Sequence, residues 1–373
     1  MSRPCSPPSH LHRTGRLAPA DVVVLGAGPA GAAAALALAA KGFSTVVVSK
    51  GRATDVHAQS SRALVGPVQG LSSRALLALT EAGLAPAARC ASGPAVRVVF
   101  WSGERSEWGQ EGLIEREVFD ATLRSCLQSS SVCWMDAAAR SVTLADDLWQ
   151  VETSEGPVRG RTLLDARGRG ARRSAERGPL LVSWSLSLKS DDCMTARTAI
   201  VALDDGWCWL AMTPGGTLHA QFVTSAKQQL DVEQLARRIQ DAAEKLPGIA
   251  LPVDQLIAGG SLSACAAVAR YSQPSRGPGQ LRIGDATVAM DPLSGNGIYE
   301  AVRSARVAVA AVNSYLQGVP WSVVARFVDA RSRELWRRCL SKAAAFYRLQ
   351  ADWSESEFWA STASAYAVIR HEV

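Results

Sequence analysis

Glycines, aspartates and a proline crowd one apolar stretch, GDATVAMDPLSGNGI at residues 284–298, just ahead of the amphipathic run Tyr299–Tyr315. Backbone free of Cβ atoms at the opening of a helix suits a close-fitting ligand, because N–H groups can reach it and the positive helix end lies behind them. A second such stretch lies far upstream in DVVVLGAGPAGAAAALALAAKGFSTVVVSK, residues 21–50, where Gly26, Gly28 and Gly31 form G-x-G-x-x-G. It falls between an apolar strand, Asp21–Leu25, and an alanine-rich helix that runs to about Lys41, stops at Gly42 and leads to a second strand, Thr45–Val48. In that βαβ setting Gly26 makes the tight turn, Gly28 lets the backbone approach a pyrophosphate and Gly31 lets the helix press on the strand. Pro29 and Ala30 open the helix, whose N-terminus adds positive potential. Where an acidic residue usually receives the adenosine ribose stands Ser49, a neutral partner, followed by Lys50 and Arg52, which can help from the phosphate side.

No Ser-His-Asp arrangement, carboxylate dyad or metal-ligand spacing is visible, and the eight cysteines form no C-x-x-C pair. The difficult chemistry therefore falls to a bound cofactor, with the protein positioning and polarising it. The 40 Lys and Arg outnumber 34 Asp and Glu for a net charge of +6, but without blocks of like charge, so neither a nucleic-acid surface nor a metal site is expected. No apolar run is long enough to span a membrane. Dispersed cysteines in a chain with no secretory pattern read as reduced thiols of a cytoplasmic protein. Residues 1–20, rich in Pro, Ser and Arg, read as a disordered leader.

These ligand-binding turns need elements to hold them. A helix over LSSRALLALTEAGL, capped by Ser72 or Ser73, follows a turn-rich loop at 51–70, and Val96–Phe100 alternates as a strand. Residues 113–127 read as a strand end turning into an amphipathic helix with Phe119, Leu123 and Leu127 on one face. Residues 132–165 read as strands ending at Asp165, and 181–225 hold several β-rich stretches that suit a mostly antiparallel sheet. Val232–Ala243 reads as helix, Leu281–Ile283 as a strand, 297–316 as helix and everything from Trp321 as helix, its aromatic stripe being core. The fold expected is α/β: a Rossmann-type nucleotide-binding domain from 21–90, 113–180 and 275–320, an inserted substrate domain from 91–112 and 181–274, and a helical C-terminal region, 321–373.

Three segments, in this order and spacing, resemble one superfamily: the G-x-G-x-x-G turn, the DARG strand end with Asp165 and Gly168, and GDATVAMDPLSGNGI. The chain is similar over nearly its whole length to FAD-dependent monooxygenases of the para-hydroxybenzoate hydroxylase type. The resemblance implies that Asp285 holds the ribityl chain of FAD. It places Pro292, Gly295, Asn296 and Gly297 along the isoalloxazine ring, where helix N–H groups stabilise the reduced flavin anion. Arg116 of REVFDATL is implied near the FAD phosphates, or else it pairs with a surface carboxylate. NAD(P)H is implied as a transient reductant, since no second G-x-G-x-x-G follows a strand, and a flavin C4a-hydroperoxide as the oxygen donor.

GPVQGLSSRALLALTEAGL, DGWCWLAMTPGG and FYRLQADWSESEFW further resemble the LodB, GoxB and, more loosely, QhpG flavoproteins of tryptophylquinone biogenesis. That resemblance implies O2-dependent hydroxylation of a tryptophan in a partner polypeptide, a quinoenzyme precursor. Trp207 and Trp209 share one strand face and are candidates for either the pocket wall or the core, and His57 is a candidate near the flavin. The rival readings are a small-molecule aromatic hydroxylase, a prenyl-chain reductase, a flavin-binding chaperone without catalysis and a flavin-dependent halogenase. Against the halogenase, the chain has no lysine between Lys50 and Lys189, and Pro214 comes too late after Trp207-Cys208-Trp209 for a W-x-W-x-I-P segment.

Overall fold

A computed structural model describes residues 18–50, 67–171, 176–189, 196–246, 254, 257 and 262–372. Ala20–Leu25 lies in the middle of the first sheet, parallel to Thr45–Val48 on one side and to Val158–Asp165 on the other. Cys133–Met135 and Gln280–Arg282 extend the parallel run at its two ends, and the hairpin of Ala139–Ala145 and Leu148–Thr153 joins Val158–Asp165. The central strand lacks polar alternation because both its faces are covered. Val22 and Val24 face the helices, whereas Val23 and Leu25 pack with Trp149, Val151 and Leu163. Helix Pro29–Ala40 packs against helix Gly297–Leu316 through alanines on both, so the two glycine-rich turns open neighbouring helices.

The second sheet runs, in spatial order, Ser263–Ala266, Leu181–Lys189, Thr217–Ser225, Gly206–Met212, Arg197–Leu203, Ser92–Trp101, Glu104–Glu115, Val68–Ser72. All its pairs are antiparallel except Arg197–Leu203 with Ser92–Trp101. One face buries Val201, Cys208, Leu210 and Phe222 against Leu235 and Ile239 of helix Val232–Glu244, which starts in a capping box between Asp231 and Gln234. Part of the other face packs on the C-terminal helices, Trp321–Trp353 and Glu357–Glu372. Among the described residues, no helix is long and apolar enough to cross a membrane.

The α/β architecture, with an antiparallel second sheet and a helical C-terminal region, is the one expected. Two details differ. The second sheet also takes in Val68–Ser72, from a stretch read as loop, together with the whole of Glu104–Glu115. Val68–Ser72 has one strand partner, and its last residue caps the next helix, Ser72 Oγ accepting from the Ala75 N–H at 3.3 Å; its turn-like composition hid the strand. The strand before the second glycine turn is Gln280–Arg282, one residue earlier than read; Ile283 is still extended and donates its N–H to the Asp165 carbonyl at 3.0 Å before the chain turns at Gly284. Trp207 is core: it is buried with Trp336, Tyr347 and Trp359.

The C-terminal aromatic residues brace the second sheet directly. The Trp359 Nε1–H donates to the Leu203 carbonyl at 2.8 Å, and its ring packs on Trp101 and Tyr347 at centroid distances of 5.1 and 5.8 Å. Replacing such a fully buried indole removes both packing and a satisfied donor. Trp359→Ala is expected to lower unfolding free energy by about 3–5 kcal/mol in denaturant titration, whereas Val368→Ala, at an exposed position on the same helix, leaves it within about 0.5 kcal/mol.

Candidate functional site

The upstream turn is shaped by what its glycines leave out. Gly26 has a φ of +98°, and a Cβ there would stand 2.7 Å from the Ala166 carbonyl oxygen; a Cβ on Gly31 would overlap the Gly26 carbonyl. Gly28 is different, with nothing within 4 Å of its Cβ position. It caps helix Pro29–Ala40 without a side-chain hydrogen bond, so a positive helix end opens on to free space. The downstream turn meets this one. Gly284, at φ +59°, lies so close that a Cβ would be 2.9 Å from that of Ala30.

The C-terminal ends of three parallel strands line up at this junction, with Leu25, Asp165 and Arg282 in register. Ligands of open α/β sheets bind at that edge. Asp165 is 2% exposed and its carboxylate is taken by Arg167, with Nε and Nη2 each at 2.8 Å. That salt bridge makes Asp165 an anchor for the turn, while Gly168, at φ +63°, leaves open space beside it. Arg169 ties the neighbouring segments together. Its guanidinium pairs with Asp285 at 3.3 Å and donates to the carbonyls of Val268 and Met290 at 2.8 and 2.7 Å. Burial pushes the Asp285 carboxyl above its usual range, opposed by the charges of Arg169 and Arg116 and by the Arg169 hydrogen bond. Arg116 also binds Asp120 at 2.8 and 3.1 Å and Gln69 at 3.1 Å. Of the two environments considered for Arg116, the structure shows the carboxylate partner, Asp120. Ser49 is half-buried at the end of its strand, its N–H donating to the Met135 carbonyl at 3.1 Å, and Lys50 is exposed. His57 lies outside the described residues.

Asp291 fixes the downstream turn. Its Oδ1 accepts from the Leu293 N–H at 2.8 Å, and its Oδ2 accepts from the hydroxyls of Tyr347 at 3.2 Å and Tyr366 at 2.5 Å. Tyr347 in turn accepts from Trp207 Nε1 at 3.1 Å. Burial pushes the Asp291 carboxyl up, and the hydrogen bonds from Tyr366, Leu293 and Tyr347 oppose the rise. Beyond Pro292–Ser294 the chain turns left-handed at Gly295, φ +57°, and the Asn296 side chain donates to the Ser294 carbonyl at 2.6 Å. At Gly297, where the helix starts, nothing stands within 4 Å of the Cβ position. Asn296 provides no side-chain cap, so this helix end too is open.

The second sheet adds polar groups that the sequence reading missed. Arg97, Thr198, Ala211, His219 and Ser187 are successive register partners across five neighbouring strands, so they share one face. At one end of this row Glu111 receives Arg97 and the Thr198 hydroxyl, the latter at 2.6 Å. At the other end Ser187 Oγ lies 2.6 Å from His219 Nδ1. Trp209 packs beside this row, its ring 5.9 Å from His219; of the two tryptophans named as candidates, it is the one on the polar part of the face. A usable signal was the alternation Ala95, Arg97, Val99, which places a charge at an inward position.

A family model described as FAD binding domain matches residues 21–106. The structure of peptidyl tryptophan dihydroxylase QhpG, essential for tryptophylquinone cofactor biogenesis, superposes with a TM-score of 0.78 and 31% sequence identity, covering 92% of this chain and 79% of that one. Tryptophan 2-halogenase of Chondromyces crocatus is 25% identical, covering 92% of this chain and 71% of its own length. Digeranylgeranylglycerophospholipid reductase 1 of Methanopyrus kandleri is 28% identical, covering 77% and 79%. The geometry fits an FAD: two helix ends, at Gly28 and Gly297, carry no side-chain cap and border open space, and the turn at Gly284 packs on Ala30 of the first helix and Ala301 of the second.

The buried imidazole gives this face a pH dependence. Burial pushes His219 down to about 4 from 6.5, so the folded chain binds that proton less tightly than the unfolded one. Its contribution to stability is complete above about pH 6.5 and is lost as the pH falls toward about 4, reaching roughly 3 kcal/mol. His219→Asn, whose amide oxygen can keep the Ser187 hydrogen bond, is expected to flatten the fall in melting temperature between about pH 7 and 5. An unchanged acid profile contradicts the assignment.

Proposed function

We propose that this protein, which belongs to the same flavin-dependent enzyme family as peptidyl tryptophan dihydroxylase QhpG, is an FAD-dependent monooxygenase that hydroxylates a tryptophan side chain of a partner polypeptide. The partner is a precursor of a tryptophylquinone enzyme. The observation that carries this reading is the likeness to peptidyl tryptophan dihydroxylase QhpG, which extends beyond the nucleotide-binding part to 92% of the chain at 31% identity.

In this reading Gly26, Gly28, Pro29, Ala30 and Gly31 hold the pyrophosphate, with Ser49 and Lys50 on the adenosine side. Arg116 faces the phosphates, and Gly168 leaves the backbone room beside the dinucleotide; Asp165 acts through Arg167, fixing the turn rather than touching the ligand. Asp285 accepts hydrogen bonds from the ribityl hydroxyls, and Pro292, Gly295, Asn296 and Gly297 lie along the ring. The bound FAD supplies acceptance of hydride from NAD(P)H and activation of O2. The chain's own contribution is to grip both ends of the cofactor and to offer the polar face of the second sheet, with Trp209 and His219, to the substrate indole. His219 is neutral at neutral pH and serves there as a hydrogen-bonding group, not as a cation.

A halogenase is the second reading, favoured by the 25% identity with tryptophan 2-halogenase. Its expected lysine has no counterpart between Lys50 and Lys189. Of its expected tryptophans, Trp207 is committed to Tyr347 in the core. The 28% identity with a geranylgeranyl-lipid reductase keeps reduction of a prenyl chain as a third outcome of the test.

Co-expression with a tryptophylquinone-enzyme precursor, followed by mass spectrometry of the precursor's peptides, distinguishes these. The expected result is oxygen added at tryptophan only when this protein is present, with NAD(P)H oxidation in vitro that depends on the precursor. Halide incorporation into tryptophan, or NAD(P)H oxidation that responds to free phenols or prenyl lipids and not to the precursor, contradicts the proposal.

A further inference from the structure

Arg97 occupies an inward position on strand Ser92–Trp101 whose neighbours on that face, Ala95, Val99 and Trp101, are buried and apolar. Among the described residues the guanidinium there pairs with Glu111, which is 3% exposed and meets Arg97 through Nε–Oε1 at 3.0 Å and through Nη2–Oε2. Glu111 is itself held on two sides. The Thr198 hydroxyl donates to its Oε1 at 2.6 Å, and its Oε2 fills the space that a side chain at Gly70 would need. A two-point carboxylate contact fixes the plane and direction of a guanidinium, which a lysine ammonium would not share. Taking both charges off solvent brings little net stability, so the arrangement calls for another use.

The direction supplies it. Arg97 Nη2 lies 4.0 Å from where a Cβ of Gly295 would stand, beside the left-handed residue of the downstream turn. Its side chain remains 22% exposed, and the Cβ position of Gly297, two residues further on, borders open space. We propose that Arg97 presents the positive end of a fixed ion pair to the turn Pro292–Gly297, and that Glu111, Thr198 and Gly70 are there to position it. This rests on the flavin reading given above. The charge reinforces the open end of helix Gly297–Leu316, so that negative charge gained by a flavin ring at this turn is stabilised from the sheet side as well as from the helix side. Glu111 moderates the charge and keeps it aimed, and Thr198 keeps Glu111 from turning away.

Sulfite provides the probe, since it gives its electron pair to oxidised flavin and leaves the added negative charge on the ring, with reversible bleaching of the visible absorbance. The parent chain, Arg97→Gln and Arg97→Lys are each loaded with FAD, FAD affinity is measured by fluorescence, and sulfite is titrated at one pH and ionic strength. Arg97→Gln is expected to weaken sulfite binding by about tenfold or more, the size of one charge at short range near a protein surface. Arg97→Lys, which keeps the charge and loses the fork, recovers most of that loss. Arg97→Gln with FAD bound and sulfite affinity unchanged overturns the role of Arg97, as does a loss in Arg97→Lys equal to that in Arg97→Gln. A parent chain that takes up no FAD overturns the flavin reading together with this inference.

Discussion

One buried carboxylate holds the candidate site in place. Asp291 lies at the start of the downstream glycine turn, 4% exposed, and accepts hydrogen bonds from the turn's own Leu293 N–H and from two tyrosines on two different C-terminal helices. A carboxylate at that depth persists only with its lone pairs satisfied, so the turn, helix Trp321–Trp353 and helix Glu357–Glu372 must assemble together. The chain of contacts continues from Tyr347 to Trp207 on the second sheet. The turn expected to carry the flavin ring is therefore held by residues of the C-terminal helices and the second sheet, and those helices are part of the site's architecture.

The other end of the site is built on omission. Gly26, Gly31 and Gly284 sit where a Cβ would strike neighbouring backbone or Ala30, and their absence of side chains lets the first helix press on its strand and the downstream turn pack against that helix. Gly28 and Gly297 border open space, which is what remains for a dinucleotide. Arg169 crosses between the two halves, linking Asp285 to the carbonyls of Val268 and Met290. The polar face of the second sheet closes the arrangement with Arg97 at one end of its register row and His219 toward the other.

Much of this was legible in the residues, for definite reasons. The upstream turn announces itself because glycine spacing, a fully apolar strand and an alanine-rich helix all follow from local sterics, and Thr45–Val48 matches its expected bounds. Helix Gly297–Leu316 is likewise as read. The strand Val68–Ser72 was hidden, since a single pairing with a distant strand leaves no periodicity in its own five residues. Long-range pairing also hid the chemistry of the second sheet. Arg97 and Glu111 are 14 residues apart and meet through a strand hairpin, while Thr198 arrives from a third strand. The role of Asp291 depends on Tyr347 and Tyr366, partners 56 and 75 residues downstream. Asp165 reads as a ligand contact from its motif, and the motif does not reveal the two-point salt bridge its carboxylate makes with Arg167, two residues on.

The central claim is that the flavin turn depends on its anchorage to the C-terminal helices through Asp291. It is tested most directly by the dissociation constant for FAD in Tyr366→Phe, a change on the last helix that removes one hydroxyl from Asp291. Losing a hydrogen bond to a charged group is worth about 1.5–3 kcal/mol; with the turn released, FAD binding is predicted to weaken by roughly tenfold while the far-ultraviolet spectrum stays that of the folded chain. An FAD affinity equal to that of the parent chain would contradict the account.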